Sequence, residues 1–210
     1  MIKNILFDLG GVIVDLQRHK CVEAFERLGL QNAPDYFGEY AQKGIFMAIE
    51  DGSASADEFH ATLRSLLPEG TTDAQIDEAF EEFLKGIPVS RLEALRKLRN
   101  AGYRIYLLSN TNPIMWDGKL DKFFRQEGLC REDYFDGMVT SFDAKSAKPD
   151  TEIFKFLVKQ TGIKPEETLF FDDSDKNTHA AAALGFQTET IAPGTEFTHY
   201  LPNECVKALS

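Results

Sequence analysis

The chain has little with which to bind a metal through sulfur or imidazole. Its three cysteines, Cys21, Cys130 and Cys205, lie far apart and form no CxxC pair. An odd, scattered set argues against a disulfide framework, and a reducing cytoplasm is the simplest compartment. The four histidines show neither HxH nor HExxH spacing, which argues against zinc. Positive charge is also short: 23 Lys and Arg against 34 Asp and Glu leave a net charge of -11. An acidic surface repels nucleic acid and anionic membrane, so neither is an expected partner. No apolar run approaches the ~18 residues of a membrane span. The opening MIKNILFDLG has no small-residue cleavage site, so an export leader is not expected.

What is present suits a globular protein, with 43% hydrophobic and 27% charged residues among 210. Met1 to Phe7 is a short apolar run ending at an acid and two glycines, which reads as a buried strand entering a tight loop. Residues 17 to 85 carry helical spacing and no convincing strand. Cys21, Val22, Phe25 and Leu28 share one face, and Gly29 is the expected stop. Ser55 with Glu58, and Thr72 with Gln75, have the spacing of helix-starting capping boxes.

From Pro88 onward strands and helices alternate. YRIYLLSN, FDGMVTSF, ETLFFDD and FQTETIA read as strands, separated by amphipathic stretches. Such alternation implies parallel pairing through crossover helices. The expected fold is therefore α/β: a doubly wound, Rossmann-like parallel sheet core with an inserted all-helical cap. The core takes residues 1–16 and 88–210, and the cap about 17–87.

Ligands of such sheets bind beyond the carboxyl ends of the strands. Four expected strands deliver polar groups there: Asp8; Ser109-Asn110-Thr111; Lys148, after the 137–141 strand; and the pair Asp172-Asp173. Acids converging from two strands repel each other unless a cation sits between them. Hard oxygen donors favour Mg2+. With Lys148 beside it, such a site would bind a phosphate dianion, and Ser109 and nearby backbone N–H groups would donate to its oxygens. A carboxylate there can attack phosphorus and form an aspartyl-phosphate.

The ordered motifs FDLGG, LLSN, AKPD and FFDDSDKN resemble those of the haloacid dehalogenase-like hydrolase superfamily. The wording FDLGGVIVD and LLSNTN is similar to the branch that includes bacterial glucose-1-phosphate phosphatases. The resemblance implies a magnesium-dependent phosphatase acting on a small phosphomonoester, a sugar phosphate by preference. It makes Asp8 the nucleophile and a metal ligand, with the backbone carbonyl of Gly10 and Asp173 as further ligands. Asp172 would support or share the metal. Ser109 and Asn110 would hold phosphate, Lys148 would bridge phosphate and Asp8, and Asn177 would support the site from behind.

One position departs from the family pattern. Most of these phosphatases carry a second aspartate two residues after the nucleophile, as general acid and base; here Gly10 stands there. Three accounts are open. The substrate has a good leaving group, such as an anomeric sugar phosphate. Or another group does the work, with Asp15, His19 or a water as candidates. Or the protein binds phosphate and turns it over poorly. A haloacid dehalogenase would also lack the second aspartate, but it would leave the acidic pair without a purpose. Trp116, Phe46 and Met47 are candidates for the cleft lining, although aromatics and methionine at helical spacing more often belong to the core. Whether the chain is a monomer or a homodimer is left open.

Overall fold

The computed structural model describes residues 1–38 and 42–209. Seven strands are present among them: β1 (Asn4–Phe7), β2 (Asp15–Leu16), β3 (Leu84–Gly86), β4 (Arg104–Ser109), β5 (Gly137–Thr140), β6 (Thr168–Asp172) and β7 (Gln187–Thr190). Five of them form one sheet in the order β5-β4-β1-β6-β7, with every neighbouring pair parallel. β1 is therefore central, and the order reverses around it.

Side chains alternate across this sheet, as a two-residue period requires. Ile5, Phe7, Ile105, Leu107, Leu169 and Phe171 face one core; Leu6, Tyr106, Leu108 and Phe170 face the other. Crossover helices cover both faces. α5 (Val89–Asn100) packs on β4 through Leu92, Leu95 and Leu98. On the other side lie α10 (Thr151–Thr161) and α11 (Asp175–Ala183), with Ile153, Phe154, Leu157 and Ala181 turned inward. Shorter helices fill the remaining connections: α6 (Pro113–Asp117), α7 (Lys119–Phe124), α8 (Arg131–Tyr134), α9 (Ser141–Ala144) and α12 (Asn203–Val206).

Between β2 and β3 the described residues include the helices α1 (Arg18–Leu28), α2 (Ile45–Glu50), α3 (Ala56–Leu66) and α4 (Asp73–Glu81). Both expected capping boxes form, Ser55 with Glu58 and Thr72 with Gln75. Gly29 ends α1 at φ 98°, a left-handed turn that glycine enters without a Cβ clash. The cap's interior is aromatic: Phe46 has ring centroids 4.6 to 5.3 Å from Phe25, Phe37, Phe59 and Phe80.

The helical reading of residues 17 to 85 needs one correction. Leu84 opens β3, which pairs antiparallel with β2 as a two-stranded ribbon. The ribbon joins the cap to the sheet, and it is too short to show a period. Two expected strands are also shorter than the sequence implied. FDGMVTSF keeps only Gly137–Thr140 and turns into α9, and the last strand stops at Thr190.

Candidate active site

The switch point of the sheet sets the site. β1 and β6 are neighbours, with Phe7 opposite Phe171, so Asp8 and Asp172-Asp173 leave the sheet side by side. Carboxylate oxygens of Asp8, Asp172 and Asp173 lie within 4.8 Å of one another. Lys148 reaches the same point from the loop after α9. Its Nζ is 2.7 Å from Asp8 Oδ1, 2.7 Å from Asp172 Oδ2 and 2.9 Å from the Leu108 carbonyl. Its side chain is fully buried, and burial alone would lower its pKa. Asp172 and Asp8 outweigh that and hold its pKa above the ordinary value.

One ammonium does not neutralise three carboxylates. Burial pushes the Asp8 carboxyl up to about 8; Lys148 pulls it down, while Asp172 and Asp173 push it further up. Burial, then Asp172, lifts Asp173 to about 6. The cluster is short of positive charge, and its donors are all hard oxygens, the chemistry that fits Mg2+. Gly11 belongs to the same arrangement. It sits at φ +75°, and a Cβ there would overlap the Asp173 carboxylate.

Asp172 has a different place from its neighbour. Besides Lys148, its Oδ1 accepts from Ser174 N and Asn177 Nδ2, both at 2.9 Å. With both oxygens occupied, it orients the lysine more than it offers itself to a cation. Asn177 therefore stands behind Asp172. Asn110 is engaged elsewhere. Its amide donates to the Lys148 carbonyl at 2.9 Å and accepts from Lys148 N–H at 2.8 Å. That side chain fixes the lysine loop. Ser109 is buried at the end of β4 and lines the cavity.

A cavity of about 110 Å³ opens above these groups. That is room for several waters, hence for a small ligand. Asp8, Ser109, Asn110, Lys148 and Asp173 line it from the sheet. From the cap come Gln42, Glu50, Phe80 and Phe83. The sequence reading did not find Glu50 or Gln42; a lone acid ending a short helix carries no spacing signal.

Other candidates fall away by position. Asp15 is held by the buried Arg91 at 2.8 Å, and neither it nor His19 lines the cavity. Trp116 stacks under the Arg131 guanidinium, 4.2 Å from its ring centroid. Phe46 is buried in the cap, and Met47 is 49% exposed.

Gly10 does line the cavity. Its φ lies outside the left-handed region, so its backbone would accept a side chain. The space is taken by Leu16, whose Cδ1 would lie 3.0 Å from an added Cβ.

Parallel order, acidic switch point and buried lysine together define a hydrolase class that handles anionic esters with a divalent cation. Comparison with known proteins makes this specific. Residues 2–185 match the profile of the haloacid dehalogenase-like hydrolases. The sequence is 42% identical, over 96% of this chain and 97% of the other, to D-ribitol-5-phosphate phosphatase of Bacteroides thetaiotaomicron. The fold superposes with a TM-score of 0.89 on a HAD family enzyme of the same organism, solved in complex with magnesium and inorganic phosphate. That pair shares 40% identity and covers 96% of this chain and 100% of the other. An L-2-haloacid dehalogenase from Xanthobacter autotrophicus shares the fold at a TM-score of 0.62 and 20% identity, over 99% of this chain and 81% of the other. The chain belongs to the haloacid dehalogenase-like hydrolase family.

Proposed function

We infer that this chain is a magnesium-dependent phosphatase of small polyol or sugar phosphomonoesters that works through an aspartyl-phosphate on Asp8. The observation that carries the reading is the Asp8 carboxylate held 2.7 Å from a buried ammonium, with Asp173 beside it at the mouth of a small cavity. Core and cap are taken as residues 1–16 with 88–210, and about 17–87. Asp8, Asp173 and the Gly10 carbonyl would hold the cation, which supplies positive charge against the phosphoryl oxygens when bound. Ser109 and the backbone N–H groups of the loop after β4 donate to those oxygens. Lys148 fixes Asp8 for in-line attack on phosphorus and offsets the charge that gathers there. The cap covers the cavity and excludes water from the attack.

The substrate class follows from size, from the cap's polar groups and from the relatives. Gln42 Oε1 is buried without a hydrogen-bond partner among the described residues, and its side chain lines the cavity. Such an acceptor calls for a donor on the ligand, and a hydroxyl of a polyol chain provides one. A relative named for D-ribitol 5-phosphate favours a primary phosphate ester over an anomeric one. The three free cysteines suit a reducing compartment, and we place the enzyme in the cytoplasm. A phosphate-binding protein of poor turnover is the second reading, favoured by the absent side chain at Gly10.

Phosphate release from a panel of polyol and sugar phosphates with magnesium separates the two. Turnover of at least one, abolished by Asp8→Asn with the fold intact, supports the enzyme. Binding without release on every member supports the second reading. Full activity of the Asp8→Asn variant would refute the aspartyl-phosphate mechanism.

A further inference from the structure

We propose that Glu50, at the end of the cap helix α2, is the general acid and base of the reaction, in place of the side chain that Gly10 lacks. The proposal rests on the aspartyl-phosphate reading above. A primary alkoxide is a poor leaving group, so a phosphatase acting on such esters needs a proton donor. Position 10 supplies none, and Leu16 fills its space.

Among the described residues that line the cavity, the ionisable side chains are Asp8, Asp173, Lys148 and Glu50. The first three already have work: nucleophile, cation ligand and charge partner. Glu50 has none. No hydrogen bond or ion pair to its carboxylate is present among the described residues, although its main chain is tied down. The Glu50 carbonyl accepts from Ser141 Oγ at 2.5 Å, and two residues later the Gly52 carbonyl accepts from Lys145 Nζ at 2.7 Å. These contacts pin the end of α2 to the core, so the carboxyl stands in the cavity on a fixed backbone.

Its position also suits the geometry of phosphoryl transfer. Attacking and leaving oxygens lie roughly in line, on opposite sides of phosphorus. Asp8 reaches the cavity from the sheet, so the leaving oxygen points toward the cap, where Glu50 enters. Protonation fits the task as well. Burial raises the Glu50 carboxyl to about 7; Lys148 opposes the rise and Asp51 adds to it. The other charges nearby are Asp143 and Lys145, on and just after α9, while α3 turns Phe59 and Leu63 inward. A group that titrates near neutrality can both give and take a proton.

In the first step the Asp8 oxygen bonds to phosphorus, the ester P–O bond breaks, and the Glu50 proton goes to the departing oxygen. The alcohol leaves. In the second step water enters from the vacated side and gives its proton to the Glu50 carboxylate. Its oxygen bonds to phosphorus, and the bond to Asp8 breaks. Phosphate is released and Glu50 is protonated again.

The test compares Glu50→Gln with the unaltered enzyme on two esters, with magnesium. On ribitol 5-phosphate, kcat should fall roughly a hundred- to ten-thousandfold, with KM little changed. On p-nitrophenyl phosphate, whose leaving group needs no proton, the variant should release a burst of nitrophenolate and then turn over slowly. If Glu50→Gln does not fold, Glu50→Ala with added formate replaces it, and rescue by formate is the expected result. Retained kcat on the alkyl ester overturns the proposal. So does a rise in KM alone, or a formate-insensitive loss, since these mark a binding or structural role. Asp8→Asn serves as control: if it turns over, the parent mechanism fails; if it is dead while Glu50→Gln is active, only the role of Glu50 fails.

Discussion

Replacing Lys148 by methionine should be the most disruptive single change at the site, and its cost should depend on pH. The ammonium is buried and makes three contacts of 2.7 to 2.9 Å, two of them to carboxylates. Methionine has similar length, so the volume lost is small and the effect is electrostatic. Removing one partner of a buried ion pair costs about 3–5 kcal/mol, because the other is left charged and unpaired. At about 2–4 °C per kcal/mol for a chain of this size, the melting temperature should drop by roughly 6–20 °C. The carboxylates can escape part of that cost by taking up protons. Asp8 already binds its proton up to about 8 in the folded state, against 3.8 ordinarily. A pKa raised by folding leaves stability intact below the ordinary value and erodes it as pH climbs toward the folded one. Without Lys148 to pull it down, the Asp8 pKa rises further and the erosion deepens. Thermal unfolding with chelator at pH 5 and pH 8 should therefore show the larger loss at pH 8. A loss below about 1 kcal/mol at pH 8, or equal losses at both, would refute the reasoning.

Three other outcomes follow from the same geometry. Magnesium should raise the melting temperature more at pH 8 than at pH 5, because protons compete for Asp8 and Asp173, whose pKa values are raised to about 8 and 6; a pH-independent shift would mean that the ion binds elsewhere. Gly11→Ala should weaken magnesium binding and cost about 1–3 kcal/mol, since it forces a strained φ and a clash with Asp173; calorimetric titration showing unchanged affinity would contradict this. Gly10→Asp should fold with a loss of about 1 kcal/mol or less, because only the tip of Leu16 must move, and it should restore part of the activity lost in Glu50→Gln. A loss above about 3 kcal/mol on unfolding, shared by Gly10→Asn, would show that backbone and not Leu16 or the added charge limits the position.

The parts of the site visible in the sequence are those fixed by strand ends. Asp8, Ser109 and Asp172 lie at or next to the ends of parallel strands, and a parallel sheet aligns such ends whatever the intervening chain does. The capping boxes of α3 and α4 were visible because both partners lie within four residues. Long-range pairings were not. Nothing local to Asn110 shows that its amide is bonded to a loop 38 residues away. Glu50 reaches the cavity only through the way α2 packs on α9, which no periodicity encodes. Phe46 lies in the core, as aromatic residues at helical spacing more often do. The ribbon of β2 and β3 escaped because a strand of two or three residues has no pattern to read.

That ribbon has a consequence for how this enzyme can change. Asp15 pairs with Gly86 and Leu16 with Leu84, so the chain enters and leaves the helical stretch at neighbouring points. Paired strands are about 5 Å apart. Whatever lies between such close anchor points can be lengthened, shortened or exchanged without pulling on the reactive end of β1. Gln42, Glu50, Phe80 and Phe83 of the cavity wall lie in that detachable stretch, while Asp8, Lys148 and Asp173 do not. Grafting a relative's helices between the two anchors should thus alter which ester is accepted and leave the attacking carboxylate of Asp8 where it is, provided the graft keeps an acid at the place of Glu50.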